Sequence, residues 1–462
     1  MTAIDKFKRL VNGKKIDVIG IGISNTPLID KLLQLGALVC ARDKKTKDEL
    51  GEITNELISK GVHLFLGEHY LENIDGDIIF RSPGIRFDKN ELLQATKKGA
   101  ILTSEMEVFF ELCPCKIIAV TGSDGKTTTT TIIYKFLEKQ GIKCHLGGNI
   151  GKPLLPYLDE ISKNDIVVLE LSSFQLQTMK KSPNIAVITN ITPNHLDWHS
   201  SYEEYITSKK NIFLFQKKDD RLVLNFNNEI TNSFQDEAIV EVFSFSSAKK
   251  LENGVYLEND KIIAVKDGKE NIIMSTKDII LVGKHNTENY LAAICATYGL
   301  VSNESIKAVA KEFGGVQHRL ELVRELNSVK YYNSSIDSSP NRTIITLSTF
   351  SDKVILICGG KDKGIPYDTI GEPIAKNVKI LLTIGKTADK IENSLKKALE
   401  KTNEGKDIEV IRCFSYEEVV KTAFNKAKKG DIVLLSPAST SFDMFSNFEE
   451  RGDTFKRLVN SL

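Results

Sequence analysis

The stretch IIAVTGSDGKTTTTTII, residues 117–133, decides the fold class of this 462-residue chain. Ile117–Val120 predicts a buried strand, Gly122 and Gly125 predict a short loop, and Lys126 opens an amphipathic helix. Backbone N–H groups in such a loop converge on phosphate oxygens, and the helix N-terminus adds positive potential. The stretch therefore predicts an α/β fold with a site for a nucleoside triphosphate.

The loop departs from the pattern G-x-x-x-x-G-K-[ST], because Val120 stands where the first glycine belongs. In a phosphate loop, Lys126 reaches the outer phosphates and the Thr127 hydroxyl ligates Mg²⁺. The alternative is an ordinary glycine turn with a surface lysine, which the flanking strand and helix disfavour.

The charges nearly cancel, with 62 Lys and Arg residues against 61 Asp and Glu residues. This balance gives no global electrostatic reason to expect nucleic acid or an acidic membrane as a partner. The sequence has no apolar run of signal-peptide or membrane-span length. Its seven cysteines include no C-x-x-C pair, although Cys113 and Cys115 flank a proline. We therefore expect a cytoplasmic protein with reduced thiols and about three domains.

The first segment resembles the start of a dinucleotide-binding domain. Strand Ile16–Ile19 leads into GIGISN, and a second strand, Leu38–Ala41, is followed by Asp43, which could hold ribose hydroxyls. Asn25 replaces the third glycine, so a plain βαβ turn remains the alternative. A later strand ends in RSPGI, where Gly84 could offer a backbone donor, and a nucleotide-bearing substrate fits as well as a dinucleotide.

The second segment places polar residues after predicted strands. Asn149 lies between glycines in HLGGNIG, and Glu170 ends the strand Asp165–Leu171. A carboxylate there is costly unless it is paired or metal-bound, so Glu170 is an Mg²⁺ candidate, with a helix N-terminal acid as the alternative. His195 and His199 are four residues apart, but leucine follows the first histidine, so H-E-x-x-H and a metalloprotease are excluded.

Lys209 lies on the apolar face of a predicted helix, whereas Lys210 points away from the centre of that face. Its stem could snorkel to the protein surface, or its amine could face an active site with a lowered pKa. In a helix further along the chain, Asn286 and Asn289 suit an adenine or ribose contact, with capping as the alternative for one of them. The residues that define the apolar face around Lys209 are Tyr202, Tyr205, Ile206 and Phe213.

The third segment alternates strands and helices and predicts a mostly parallel sheet. The loops NSSIDSSPNRT, GGKDKG and SPASTSFDMF follow its strands, where open α/β sheets bind ligands. Their hydroxyls and Lys363 suit a small anionic substrate. The predicted strands are Lys330–Asn333, Val354–Cys358, Ile380–Ile384, Ile408–Arg412 and Ile432–Leu435.

Taken together, these motifs resemble the Mur ligases over essentially the whole chain. The matching motifs, in order, are TGSDGKTT, ELSSFQL, NITPNHLDWH, the helix bearing Lys209, HNTENYLAA, QHRLE and SPASTSFDMFSNFEERG. The resemblance implies three α/β domains: a Rossmann-like UDP-sugar domain at 1–112, a central P-loop ATPase-like domain at 113–315, and a Rossmann-like domain at 316–462.

The resemblance also implies ATP-dependent addition of D-glutamate to UDP-N-acetylmuramoyl-L-alanine in peptidoglycan precursor synthesis. An acyl phosphate would form first, with release of ADP, and the amine would then displace phosphate. Two Mg²⁺ ions and a CO₂-derived carbamate on Lys209 are expected. The enzyme is expected to act as a cytoplasmic monomer without nucleic acid and without membrane insertion.

Individual site residues follow from the matched motifs. The catalytic residues implied are Lys126, Glu170, His195 and carbamylated Lys209. The ATP contacts implied are Gly122, Ser123, Asp124, Gly125, Lys126, Thr127, Thr128, Asn289 and Arg319. The metal ligands implied are Thr127, Glu170, His195 and Lys209. The UDP-sugar contacts implied are Ile23, Ser24, Asp43, Gly84 and Asn149, and the D-glutamate contacts are Ser338, Lys363, Ser441 and Phe448.

One stretch differs from the family pattern N-D-S-K-A-T-N. Ser334 and Ile336 occupy the positions of its aspartate and lysine. The change removes a cation from the presumed glutamate pocket, for which Lys361, Lys363 or Arg342 could compensate.

Three other functions remain possible from the sequence. A sibling ligase, including a folylpolyglutamate synthetase type, would use another acceptor, whereas the GIGISN and SPGI motifs favour a UDP-sugar. A nicotinamide-dependent oxidoreductase would account for the first segment alone. A nucleotide switch would bind ATP or GTP without amino-acid-dependent turnover.

Overall fold

The computed structural model describes residues 1–22, 25–401 and 404–462. These residues form two compact units. The N-terminal unit comprises Met1–Thr276 and Thr287–Val309, and the C-terminal unit comprises Lys277–Asn286 and Ala310–Leu462. The protein has three sheets in the described residues, of which two belong to the N-terminal unit and one to the C-terminal unit. This agrees with the predicted three-domain α/β architecture. The proposed boundaries after residues 112 and 315 stay a prediction.

The first sheet has five parallel strands in the order β3-β2-β1-β4-β5, the arrangement of a Rossmann-like half. Its strands are β1 (Lys15–Ile19), β2 (Leu38–Asp43), β3 (His63–Leu66), β4 (Ile78–Arg81) and β5 (Ile101–Thr103). Its helices are α1 (Ala3–Val11), α2 (Asn25–Gln34), α3 (Lys47–Leu50), α4 (Glu52–Ser59), α5 (Asn90–Lys97) and α6 (Glu105–Leu112).

The second sheet has nine strands in the order β14-β13-β12-β11-β10-β9-β6-β8-β7, of which β13 pairs antiparallel with both its neighbours. Its strands are β6 (Lys116–Thr121), β7 (Cys144–Gly148), β8 (Ile166–Glu170), β9 (Ile185–Ile188), β10 (Arg221–Asn225), β11 (Glu241–Ser246), β12 (Gly254–Glu258), β13 (Lys261–Lys266) and β14 (Lys269–Ser275). The helices that follow in this part of the chain are α7 (Lys126–Lys139), α8 (Ser173–Leu176), α9 (Tyr202–Lys210), α10 (Glu229–Ser233), α11 (Lys284–Thr297) and α12 (Asn303–Glu312).

The third sheet has six strands in the order β15-β16-β20-β17-β18-β19, with only the edge strand β15 antiparallel. Its strands are β15 (Glu321–Leu326), β16 (Val329–Asn333), β17 (Val354–Cys358), β18 (Val378–Thr383), β19 (Glu409–Arg412) and β20 (Ile432–Leu435). Its helices are α13 (Pro340–Leu347), α14 (Gly371–Asn377), α15 (Ala388–Leu399), α16 (Tyr416–Lys426) and α17 (Phe448–Asn460).

A continuous apolar core joins the first two sheets. It extends from Phe7 and Val11 of α1 through Phe109 of α6 to Leu154 and Leu155 before β8. Burying apolar surface is the main favourable contribution to folding, so this shared core explains why the two sheets form one unit. In the part of the chain that the structure describes, no helix is long and apolar enough to cross a membrane.

The predicted strands agree with the structure to within three residues at each end. One prediction is wrong: α9 ends at Lys210, so Phe213 lies beyond the helix rather than on its apolar face. Phe213 is nevertheless buried, where it stacks on Phe234. The helical spacing therefore identified a core residue correctly but extended the helix by one turn.

Candidate active site

The loop between β6 and α7 requires both of its glycines. Gly122 and Gly125 have positive φ angles of 151° and 77°, which side-chain-bearing residues rarely adopt. A Cβ at Gly122 would lie 1.9 Å from Oγ1 of Thr189, and one at Gly125 would lie 2.4 Å from Oδ1 of Asn289. Lys126 folds back over the loop, where its Nζ donates to the carbonyls of Gly122 (3.0 Å) and Ser123 (2.9 Å).

The segment after β9 fixes this loop from one side. Asp124 donates its N–H to Oδ1 of Asn190 (2.9 Å), and its carbonyl accepts from the Thr189 hydroxyl (2.5 Å). Ser123 donates its N–H to the Asn190 carbonyl (2.9 Å). The loop is therefore held in shape by the protein itself, which lowers the cost of ordering it around a phosphate.

Glu170, at the end of β8, is the buried carboxylate of the site, with 1% of its surface exposed. Its Oε1 accepts from the Asn149 side-chain amide (2.8 Å), whereas its Oε2 is buried without a hydrogen-bond partner among the described residues. A buried carboxylate oxygen without a donor is costly, and a divalent cation would satisfy it. The donor chemistry therefore fits Mg²⁺.

His195 and His199 have different environments. Burial, together with the positive charge of Lys126, lowers the pKa of His195 and favours the neutral imidazole that ligates metals. His199 is more deeply buried, with 3% of its surface exposed, and its Nε2 pairs with the Ser173 hydroxyl (2.9 Å). Residues 1–22, 25–401 and 404–462 contain no cluster of three or more His, Cys, Asp or Glu side chains placed to hold a metal. Mg²⁺ needs no such cluster when substrate phosphates and water complete its shell.

Lys209 points inward from α9, with 1% of its surface exposed. Its Nζ donates to the Gly122 carbonyl (2.8 Å) and the Thr121 hydroxyl (3.2 Å), and it lies 4.8 Å from the ring centre of Tyr205. Burial, followed by repulsion from Lys126, lowers the pKa of Lys209 well below its usual value. The snorkelling interpretation is therefore wrong, because the amine contacts the phosphate loop rather than solvent.

Most of the predicted nucleotide and sugar contacts lie in the N-terminal unit. Asn289 accepts at Oδ1 from the Thr129 hydroxyl (3.2 Å), so it lies against the first turn of α7. Asp43 accepts the N–H of Ile21 at 2.7 Å and thereby holds the glycine turn after β1. The Gly84 carbonyl accepts from the indole N–H of Trp198 at 3.2 Å. Ile23 and Ser24 lie outside the described residues.

In the C-terminal unit, the three polar loops follow β16, β20 and β17, which are neighbours in the sheet. Ser436 of the second loop donates to Asp337 of the first (2.8 Å), and Lys361 of the third donates its N–H to Thr440 (2.8 Å). The three loops therefore lie together at one edge of the sheet. Of the predicted contacts there, Ser441 is buried, Ser338 is half-buried, Lys363 and Arg319 are exposed, and Phe448 begins α17.

Comparisons with known proteins establish the family. The Mur ligase middle domain matches residues 120–297, and the Mur ligase glutamate ligase domain matches residues 318–439. A UDP-N-acetylmuramoylalanine–D-glutamate ligase of Ruminiclostridium cellulolyticum is 55% identical over 99% of this chain and 99% of its own length. The chain belongs to the Mur ligase family. A relative with the same name from Acetivibrio thermocellus is 54% identical over 100% of this chain and 99% of its own length.

Solved structures agree with this Mur ligase fold. The UDP-N-acetylmuramate-alanine ligase MurC of Thermotoga maritima has a TM-score of 0.58 at 20% identity, covering 97% of this chain and 99% of that one. MurF of Acinetobacter baumannii has a TM-score of 0.57 at 15% identity, covering 84% of this chain and 92% of that one. The matches do not support a nicotinamide-dependent oxidoreductase, which was inferred from the first segment alone.

Two arginines of this Mur ligase have structural roles that were not predicted from the sequence. Arg86 forms ion pairs with Asp88 and Glu204 and donates to the Trp198 carbonyl (3.0 Å), so it connects the loop after β4 with the start of α9. These pairings raise the pKa of Arg86. No feature of the sequence around Arg86 indicated these contacts. The second arginine is Arg451 of α17.

Arg451 is fully buried in the C-terminal unit. Its guanidinium donates to the carbonyl (2.7 Å) and hydroxyl (2.9 Å) of Ser335 and to the Ser439 carbonyl (3.1 Å). It therefore ties the loop after β16 to the loop after β20. The arginine in the NFEERG motif was the available signal, but its spacing alone did not indicate burial.

Proposed function

We propose that this Mur ligase joins D-glutamate to UDP-N-acetylmuramoyl-L-alanine, with hydrolysis of ATP to ADP and phosphate, in peptidoglycan precursor synthesis. The full-length identity to relatives of that name carries the assignment of substrates. The phosphate loop with a buried carboxylate and a buried amine beside it supports ATP-dependent activation of a carboxylate.

In the first step, the carboxylate of the acceptor attacks the γ-phosphorus of ATP, giving an acyl phosphate and ADP. The N–H groups of the loop and the Lys126 ammonium bind the phosphates and oppose the negative charge of the transferring group. In the second step, the amine of D-glutamate attacks the acyl carbon, and phosphate leaves with formation of the amide bond. Positioning and charge stabilisation supply most of the catalysis in such transfers.

Glu170, His195 and the Thr127 hydroxyl would hold Mg²⁺. The ions would neutralise charge on the phosphate oxygens when bound. The buried Lys209 fits a carbamate, because only a neutral amine adds CO₂, and the product is an anionic oxygen ligand formed with release of one proton. The lowered pKa of His195 and the unpartnered Oε2 of Glu170 support this arrangement.

The substrate contacts are proposed on the matched motifs. The UDP-sugar contacts are Ile23, Ser24, Asp43, Gly84 and Asn149. The ATP contacts are Gly122, Ser123, Asp124, Gly125, Lys126, Thr127, Thr128, Asn289 and Arg319. The D-glutamate contacts are Ser338, Lys363, Ser441 and Phe448. We further propose a cytoplasmic location, since ATP and UDP-linked precursors are its substrates, and a monomeric state.

The decisive experiment is a panel of amino acids tested with ATP, Mg²⁺ and UDP-N-acetylmuramoyl-L-alanine, with phosphate release as the readout. D-glutamate is expected to be the one amino acid of the panel that supports phosphate release, and mass spectrometry should then detect the dipeptidyl product. Equal turnover with another amino acid, or none with D-glutamate, would refute the assignment. Replacing the acceptor by a folate in parallel tests the sibling ligase directly.

The role of Lys209 has a matched control on the same helix. Lys209→Ala should lose most activity and recover part of it with short carboxylates, which replace the anionic ligand. Lys210→Ala should stay active, because the Lys210 ammonium pairs with Glu237 and lies 5.1 Å from the ring centre of Phe234, whereas the Lys209 amine binds the loop. Full activity of Lys209→Ala would remove the proposed carbamate.

A further inference from the structure

Cys113 and Cys115 lie in the short connection between α6 and β6. Their Sγ atoms are 3.8 Å apart. Both side chains are half-buried at the edge of the core, and Pro114 between them is exposed. The pair is therefore reachable from solvent, and the whole of β6 separates it from the phosphate loop.

The two thiols are chemically unequal. Hydrogen bonding between the sulfurs lowers the pKa of Cys113 and raises the pKa of Cys115. The thiolate is the attacking species in thiol–disulfide exchange, so this contact favours Cys113 as the first nucleophile. Cys115 is then the neighbouring thiol that can displace a leaving group from it.

We propose that Cys113 and Cys115 form a reversible intramolecular disulfide on reaction with a low-molecular-weight disulfide, RSSR. The Cys113 thiolate attacks one sulfur of RSSR, and the S–S bond breaks with departure of RS⁻. The leaving RS⁻ takes the proton of Cys115, whose thiolate then attacks the Cys113 sulfur and expels the second RS⁻. The second RS⁻ takes up the proton that Cys113 released when it ionised. One RSSR is thereby reduced to two RSH, and the protein loses two hydrogen atoms as its disulfide forms.

The geometry favours a labile rather than a structural bond. Only one residue lies between the two cysteines, so closing this ring removes little entropy from the unfolded chain. Accessible disulfides with little gain in stability are the ones that are readily reduced again. In a reducing compartment such a pair reports oxidation and is not needed for folding.

The test uses the native full-length chain with oxidised glutathione, followed by acid quench, unfolding and alkylation of the remaining thiols. All seven cysteines are free in the structure, so the number of alkylated thiols should fall from seven to five. Peptide mapping should place the loss at residues 113–115, and dithiothreitol should restore all seven. Retention of seven thiols, or a disulfide elsewhere, would overturn the proposal.

Three variants sharpen the result. Cys144→Ser is the matched control, because Cys144 is also half-buried but its thiol donates to the Tyr134 carbonyl, and this variant should still lose two thiols. Cys113→Ser should lose none. Cys115→Ser should stop at a mixed disulfide carrying one glutathionyl group on Cys113. Loss of two thiols in Cys113→Ser, or no mixed disulfide in Cys115→Ser, contradicts the assigned order of attack. Mapping of the wild-type chain remains decisive if a variant fails to fold.

Discussion

The two glycines at the ends of α7 allow backbone strain to be separated from crowding in the nucleotide loop. Gly125 and Gly141 have φ angles of 77° and 81°, so alanine at either position adopts the same unfavourable backbone conformation. That conformation costs about 1–2 kcal/mol for a residue with a Cβ. A Cβ at Gly141 has no atom within 4 Å, whereas one at Gly125 meets Oδ1 of Asn289 at 2.4 Å. Gly141→Ala therefore serves as the matched control for Gly125→Ala.

The contact at Gly125 adds a second, local cost. Asn289 must move by about 1 Å to reach ordinary contact distance, and it then loses its bond with the Thr129 hydroxyl. The lost bond contributes about 0.5–1.5 kcal/mol. If the loop moves instead, its N–H groups shift by a similar distance from the phosphate positions. A misplacement of about 1 Å can reduce turnover about 100-fold.

The assay is steady-state phosphate release at varied ATP, with thermal unfolding measured in parallel. Both variants should have a melting temperature lower by a few degrees, about 2–4 °C for each kcal/mol in a unit of this size. Only Gly125→Ala should show a kcat/KM for ATP reduced by about 100-fold. The reasoning is refuted if Gly125→Ala keeps wild-type kcat/KM, or if Gly141→Ala loses as much.

Three further predictions concern buried charges. Burial raises the pKa of Glu105 from 4.5 to about 7, so the folded state holds an extra proton between these values and stability falls as pH rises through that window. In urea unfolding, the free energy of unfolding of Glu105→Gln should rise relative to that of wild type by about 1–3 kcal/mol as the pH increases from 5 to 8. A difference between the two proteins that does not change with pH would contradict this. Asp17→Asn leaves the fully buried guanidinium of Arg42 without its carboxylate partner, which lies 2.5 Å away. The free energy of unfolding should fall by about 3–5 kcal/mol in the same assay. A loss below about 1 kcal/mol would argue against a dependence of the fold on this ion pair. Arg451→Lys removes the planar guanidinium that binds Ser335. The KM for D-glutamate should rise about tenfold, whereas the KM for ATP should stay near the wild-type value. Equal changes in both KM values would indicate a general structural effect instead.

The phosphate loop could be predicted from the sequence because its determinants are local. A buried strand, two glycines and an amphipathic helix occur within 117–133, and each shows its own pattern. Other parallel strands, such as β8, β17 and β20, could also be predicted, since strands buried on both faces form continuous apolar runs. The proximity of their loops then followed from the common edge of a parallel sheet.

The antiparallel hairpins were not predicted, although they carry a readable signal. Asn259 and Asp260 between β12 and β13 have φ angles of 48° and 62°, and Asp267 and Gly268 between β13 and β14 have 51° and 69°. Such pairs form the tight turns of two-residue hairpins, for which Asp-Gly is a strong sequence signal.

The partners of Glu170 and Lys209 could not be predicted, because they come from distant parts of the chain. Glu170 pairs with Asn149 across two neighbouring strands, and Lys209 reaches the Gly122 carbonyl from a helix 87 residues further on. Helical spacing placed Lys209 on the apolar face but did not say whether its amine turned inward or outward. Only the packing of α9 against the loop decides that direction.

The structure gives Asp337, within the stretch 333–339 that departs from the family pattern, a structural role. Asp337 is buried and accepts from two hydroxyls, those of Ser436 and Thr346, each at 2.8 Å. Burial raises the pKa of Asp337, and this carboxyl links loops of the C-terminal unit rather than facing solvent. The stretch thus gains a structural acid while it lacks the usual lysine. Lys361, Lys363 and Arg342 are all exposed beside these loops, and we propose that one of them supplies the cation for the glutamate side chain. Its position would then depend on the backbone that the hydrogen bonds of Asp337 and Arg451 hold in place.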